Sequence, residues 1–231
     1  MNTSRKIAIA VGVVYLITNF VAGPPALLLE ASILNAPDYL INLSANETRW
    51  IIAELLGFIM AVGVVCIGPM MYPILKQHNG SIAILYVGAR IVEGVVYIVG
   101  QASTLLLVTL SQEFVKAGSP DASYFQTLGE LLLAGRDWVG QLGSIVFCLG
   151  AMMFYYLLYQ SKLIPRWLSG FCFTGPTLAL VALFLALLGL LEPRSTIDIV
   201  LQVPLFFSEF GLAVWLIVKG FNPSAIVSEP A

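Results

Sequence analysis

The sequence predicts an all-α protein, a single domain over residues 1–231 forming an integral membrane bundle of six transmembrane helices. Three observations carry this prediction. Hydrophobic residues make up 59% of the chain and charged residues 10%, against roughly 25% charged in soluble domains. The mean hydropathy of +0.92 leaves more apolar surface than one water-soluble core could absorb. Finally, the apolar residues fall into runs of about 20, the length that crosses a bilayer as helix.

The runs are Ile7 to Leu29, Trp50 to Leu75, Ser81 to Leu110, Trp138 to Gln160, Trp167 to Leu191 and Ile197 to Val218. All are read as helices, because a helix satisfies its own backbone polar groups in lipid. The first follows Arg5 and Lys6 as a secretory leader would, but it is long for one and contains Thr18 and Asn19. It reads as a span. The segments Ala31 to Arg49 and Ser111 to Asp137 have room for short helices, and the fourth span could continue outward through "YFQTLGELLLAGRDW". Trp50, Trp138 and Trp167 stand at span starts, where indoles favour the interface. The Gly-Pro steps at Gly23, Gly68 and Gly175 are expected to kink or end helices.

Orientation follows from the loops. With the amino terminus cytoplasmic, six cations fall inside (Arg5, Lys6, Lys76, Lys162, Arg166 and Lys219) and four outside (Arg49, Lys116, Arg136 and Arg194). The only inside acid is then Glu229, while Asp121 and most others fall outside. On the positive-inside rule this places both termini in the cytoplasm.

The third run, "ARIVEGVVYIVGQ", carries a full ion pair within a very apolar segment. At 100° per residue, Tyr86, Arg90, Glu93, Gly94, Tyr97, Gln101 and Thr104 share one stripe. Ile91, Val92, Val95, Ile98, Val99 and Ala102 lie opposite. Similar stripes join Asp137, Gln141, Ser144, Cys148, Tyr155 and Tyr159 in the fourth span, and Gln202 with Glu209 in the sixth. Glu54 stands beside Gly57 and Ala61 in the second, and Tyr15 with Thr18 and Asn19 in the first. Side chains of this kind in a bilayer are expensive and face protein or a polar cavity. Glu54, Glu93 and Glu209 cannot all be ionised with Arg90 as the one embedded counter-ion, unless Arg136 reaches in, so at least one is expected to be protonated near neutral pH. The candidate ligand- or proton-binding residues are therefore Arg90, Glu93, Glu209, Glu54, Gln101, Asp137, Gln141 and Gln202, around a polar pocket opening outward.

Much chemistry is missing from the sequence. The single histidine, His78, lies in the turn "KQHNG", away from the spans. Cys66, Cys148 and Cys172 lack metal or redox spacing. There is no nucleophile elbow, phosphate loop or dinucleotide turn. No cofactor and no catalytic residue are expected, and no basic stripe points to nucleic acid.

"YLLYQSKLIPRWLSG" from Tyr156, "EFGLAVWLIVKGF" from Glu209 and the Arg90-x-x-Glu93 span resemble the multi-pass membrane family called domain of unknown function 4386. The resemblance extends over nearly the whole chain. It implies a bacterial or archaeal cytoplasmic membrane, supplies no activity, and marks Arg90, Glu93 and Glu209 as the polar signature. The expected function is non-enzymatic binding of a small or amphiphilic ligand, for transport or sensing and possible coupling to protons. The alternatives are an intramembrane enzyme using paired carboxylates on a lipid-like substrate, and an assembly subunit of a membrane complex. Expected partners are the lipid bilayer, a small-molecule or lipid ligand, and a second copy or another membrane subunit.

Overall fold

The computed structural model describes residues 2–118, 122–192 and 195–226. Asp121, Arg194 and Glu229, used above for orientation, lie outside the described residues. The chain is 88% helical and has no strand among the described residues. Six helices are long and apolar enough to cross a membrane.

The elements are α1 (Thr3–Leu16), α2 (Gly23–Leu34), α3 (Tyr39–Ala45), α4 (Glu47–Leu75), α5 (Gly80–Ala117), α6 (Ala122–Ser161), α7 (Arg166–Leu187) and α8 (Thr196–Val218). A π-helical stretch, Ile17–Ala22, joins α1 to α2, so the first span runs on to Leu34. Pro24 and Pro25 fall in the first turn of α2, where their missing N–H groups cost least. The wider π turn before them relieves the clash of a proline ring with the carbonyl four residues back. None of the three Gly-Pro steps breaks the helical path: Pro69 and Pro73 lie within α4, and Pro176 within α7. The fourth span does continue upstream through that stretch, since α6 begins at Ala122.

One expectation needs correction. The fifth span stops at Leu187 rather than Leu191, because Gly189 takes φ 70° and ends the helix in a left-handed cap. Trp50, near the start of the second span, is fully buried, and its Nε1 donates to the Thr104 carbonyl at 3.2 Å. Trp138 and Trp167 are exposed.

The contacts divide the chain into two compact units. The first comprises Met1–Leu16, Gly63–Glu93 and Ser144–Ala231. Its core joins Tyr15 of α1, Met71 of α4, Tyr86 of α5, Phe154 of α6, Cys172 of α7 and Leu216 of α8. Glycines allow this close packing, since the driving force between helices in lipid is van der Waals contact. A Cβ on Gly175 would come 2.8 Å from Ser208 Oγ and 2.7 Å from Leu205 Cα; one on Gly12 would come 2.8 Å from the Ala213 carbonyl. Thus α7 and α1 both pack on α8.

The second unit comprises Ile17–Val62 and Gly94–Gly143. Ile33, Leu43, Trp50 and Leu107 form its core. Asn42 ties α3 to α2 by donating its amide N–H to the Ile33 carbonyl at 3.0 Å.

Burial along α5 follows the sequence stripe. Tyr86, Arg90, Glu93, Gly94 and Thr104 are buried, Tyr97 and Gln101 half-buried, and all six opposite residues exposed. Large apolar side chains lie exposed on every span, Val95, Leu106, Leu142 and Phe206 among them. A bilayer is the solvent that suits such a surface.

Candidate functional site

Within the first unit, the site is built around Arg90, which is 3% exposed. One helical turn separates it from Glu93, so both heads meet on the same face of α5. Nη1 donates to Glu93 Oε2 at 3.0 Å. Nη2 donates to the Tyr15 hydroxyl on α1 at 2.9 Å, and Nε to the Tyr86 hydroxyl at 3.2 Å. The guanidinium also lies 5.3 Å from the Phe147 ring centroid, 5.6 Å from that of Tyr86 and 5.7 Å from that of Tyr15. Those distances fall within cation–π range, where aromatic faces partly replace lost water. Two glycines let the neighbouring helices approach this point. A Cβ on Gly68 of α4 would sit 3.2 Å from Arg90 Cβ, and one on Gly150 of α6 would sit 2.8 Å from Ala89 Cβ.

Glu209 of α8 belongs to the same unit and is 9% exposed. It feels the charges of Arg90 and Glu93, yet it makes no hydrogen bond or ion pair with any described residue. The Tyr155 hydroxyl is also buried without a partner, and it interacts electrostatically with both Tyr15 and Glu209. Cys172 is committed elsewhere, its Sγ donating to the Ser208 carbonyl at 3.4 Å. Arg90 therefore has an N–H of each guanidinium nitrogen engaged and its charge paired, whereas an acid and a hydroxyl in the same unit have no hydrogen-bond partner among the described residues. Gln202, two turns before Glu209, is exposed and donates to Asp198 Oδ1 at 2.7 Å.

The remaining candidates lie in the second unit. Glu54 is 4% exposed, and its Oε1 has no partner. It faces Thr104 of α5, whose hydroxyl donates to the Gln101 carbonyl at 2.9 Å. Gln101 packs its amide against Gly57, and its Oε1 is likewise buried and unpartnered. Asp137 is exposed and Gln141 half-buried. Arg136, read from the sequence as an outer loop cation, instead pairs with Glu30 of α2.

Of the eight candidate residues, Arg90, Glu93 and Glu209 thus gather in one unit, and Glu54 and Gln101 in the other. The sequence reading left Tyr15 and Phe147 out of the site. Tyr15 carried a signal, a hydroxyl on a polar stripe, but nothing in the sequence links it to a partner 75 positions away. Phe147 carried none. Among the described residues, no group of three or more His, Cys, Asp or Glu could hold a metal ion.

The family model for domain of unknown function 4386 matches residues 10–220, and the chain belongs to that family. No curated protein and no solved structure matches it.

Proposed function

We propose, with membership of that family as the premise, that this membrane protein binds a small ligand or a proton at Glu209, beside a fixed wall formed by Arg90 and Glu93. One observation carries the reading. Glu209 is buried in a span with no hydrogen-bond partner among the described residues, while Arg90 already has three. An unpaired polar group in hydrocarbon costs several kcal/mol, roughly, so a site that keeps one has a use for it. The unpartnered Tyr155 hydroxyl adds a second contact of the right kind, able to donate or accept. A neutral or cationic hydrogen-bonding species suits this pair better than an anion, since Arg90 is already paired with Glu93 and an ionised Glu209 repels negative charge. Such a site fits transport or sensing.

The test is to purify wild type and Glu209→Gln in mild detergent, denature both, and identify the released small molecules by mass spectrometry. The reading expects a stoichiometric species on wild type that is missing from a folded Glu209→Gln variant. Equal contents in both would exclude a small ligand at Glu209, and a carboxyl infrared band that shows no Glu209-dependent titration would exclude the proton as well.

A further inference from the structure

At the end of the first unit where α6 hands over to α7, two turns are fastened together. Asn222 donates its backbone N–H to the Leu163 carbonyl at 2.8 Å and its side-chain N–H to the Lys162 carbonyl at 3.4 Å. Lys162 itself takes φ 57°, a conformation favoured by glycine, so this turn is held against a local cost. Gly220, at φ 74°, packs against the Arg5 guanidinium, which donates to the carbonyls of Leu216, Ile217 and Val218. Between the two turns lies a groove of about 520 Å³. Its rim carries Lys162, Arg166 and Lys219, all exposed, and its apolar lining includes Leu163, Trp215 and Phe221. None of the three cations meets a carboxylate among the described residues; Arg166 rests on the Tyr159 ring, 5.2 Å from its centroid.

We infer that this groove is a binding site for the phosphate headgroup of an anionic phospholipid. The groove lies at the ends of three spans, 123–161, 166–187 and 196–218, and a bilayer that those spans cross would bring its phosphates toward such ends. Arg5 is consumed in capping α8, whereas the three rim cations have no carboxylate partner among the described residues and can meet a ligand's negative charge. An apolar lining below a cationic rim accommodates a molecule that is charged at one end and greasy at the other. The exposed Trp167, edge-on to Trp215 at 6.3 Å, places an indole at the same level, as interfacial aromatics do. A free phosphate would use the rim but leave the accessible parts of Trp215 and Pro223 uncovered. A basic residue near an anionic headgroup contributes about a factor of five in affinity, so three predict a preference on the order of a hundredfold over a zwitterionic lipid.

The experiment adds phosphatidylglycerol or phosphatidylcholine to delipidated protein and counts retained lipid by native mass spectrometry. The site expects strong retention of phosphatidylglycerol, loss of that preference in Lys162→Gln/Arg166→Gln/Lys219→Gln, and little displacement by inorganic phosphate. Equal retention of both lipids, or a preference that survives the triple substitution, would overturn it. Full displacement by inorganic phosphate would reassign the groove to the free ion and overturn the lipid. Should the triple variant fail to fold, Lys219→Gln alone, at an exposed position, must weaken retention about fivefold.

Discussion

Arg90 is accommodated inside an apolar span by a counter-charge, hydrogen-bond acceptors and aromatic rings. Glu93 supplies the counter-charge, Tyr15 and Tyr86 each accept one further N–H, and three aromatic rings lie within cation–π range. Removing the arginine strands Glu93 without a partner, and breaking a buried pair from one side costs about 3–5 kcal/mol. Arg90→Leu should therefore lower the melting temperature sharply, and Arg90→Lys should rescue little, since one ammonium cannot reach partners set out for a planar fork. Lys116→Leu, at an exposed pair with Glu113, should leave the melting temperature nearly unchanged. The pair itself was legible from its three-residue spacing. Its aromatic surroundings were not, because helical periodicity says which face is polar but not which helix will meet it. His78 offers a separate residue-scale test outside the spans. Burial holds its imidazole below the ordinary range, and its Nε2 has no partner. The folded state then resists a proton that the unfolded chain accepts, so stability present above about pH 6.5 should be lost as pH falls below it. Melting curves at pH 7.5 and 5.5 would register this difference, and His78→Gln should reduce it.

At the scale of elements, the run of apolar residues located all six spans, and the misread positions have physical causes. Hydropathy continues past Leu187, but Gly189 ends α7 by backbone conformation, a matter the apolar count does not sense. Trp50 stands near a span start in sequence, and what the sequence does not disclose is that Thr104 offers its indole a carbonyl inside the second unit. The glycines were read as neighbours of prolines, when their closer role is contact between helices. Gly175 and Gly170 of α7 separate these ideas. A methyl on Gly175 would meet Leu205 Cα at 2.7 Å, and that atom is backbone, so α7 must move off α8. Overpacking of this kind costs about 1–3 kcal/mol. Nothing lies within 4 Å of a Cβ at Gly170 in the same helix. Alanine there should be neutral or stabilising by up to about 1 kcal/mol, the helical advantage of Ala over Gly. Thermal unfolding of the two single variants should move in opposite directions; a common sign would show that α7 does not depend on close approach to α8.

For the molecule as a whole, the sequence made the number and order of spans plain, but not the grouping of their segments. Each unit collects stretches far apart in the chain, such as Met1–Leu16 with Ser144–Ala231, and no local pattern encodes that. Orientation is the whole-molecule property that the sequence argues most directly. The end of the first unit bearing Lys162, Arg166 and Lys219 gathers cations on turns joined by Asn222, and Arg5 reaches the same end. Cations flanking short loops are retained in the cytoplasm, so this end should be cytoplasmic, and with it both termini. Glu113 and Lys116, at the far end of α5 from Gly80, should then lie outside. Single cysteines in a cysteine-free background test this in intact cells with a membrane-impermeant maleimide. Glu113→Cys, an exposed position, should label at once, while Lys76→Cys, exposed near the start of the turn before α5, should label only after permeabilisation. The free Cys66, exposed on α4, must be replaced first so that it adds no background. The opposite pattern would invert the topology and put the cationic groove on the outer face.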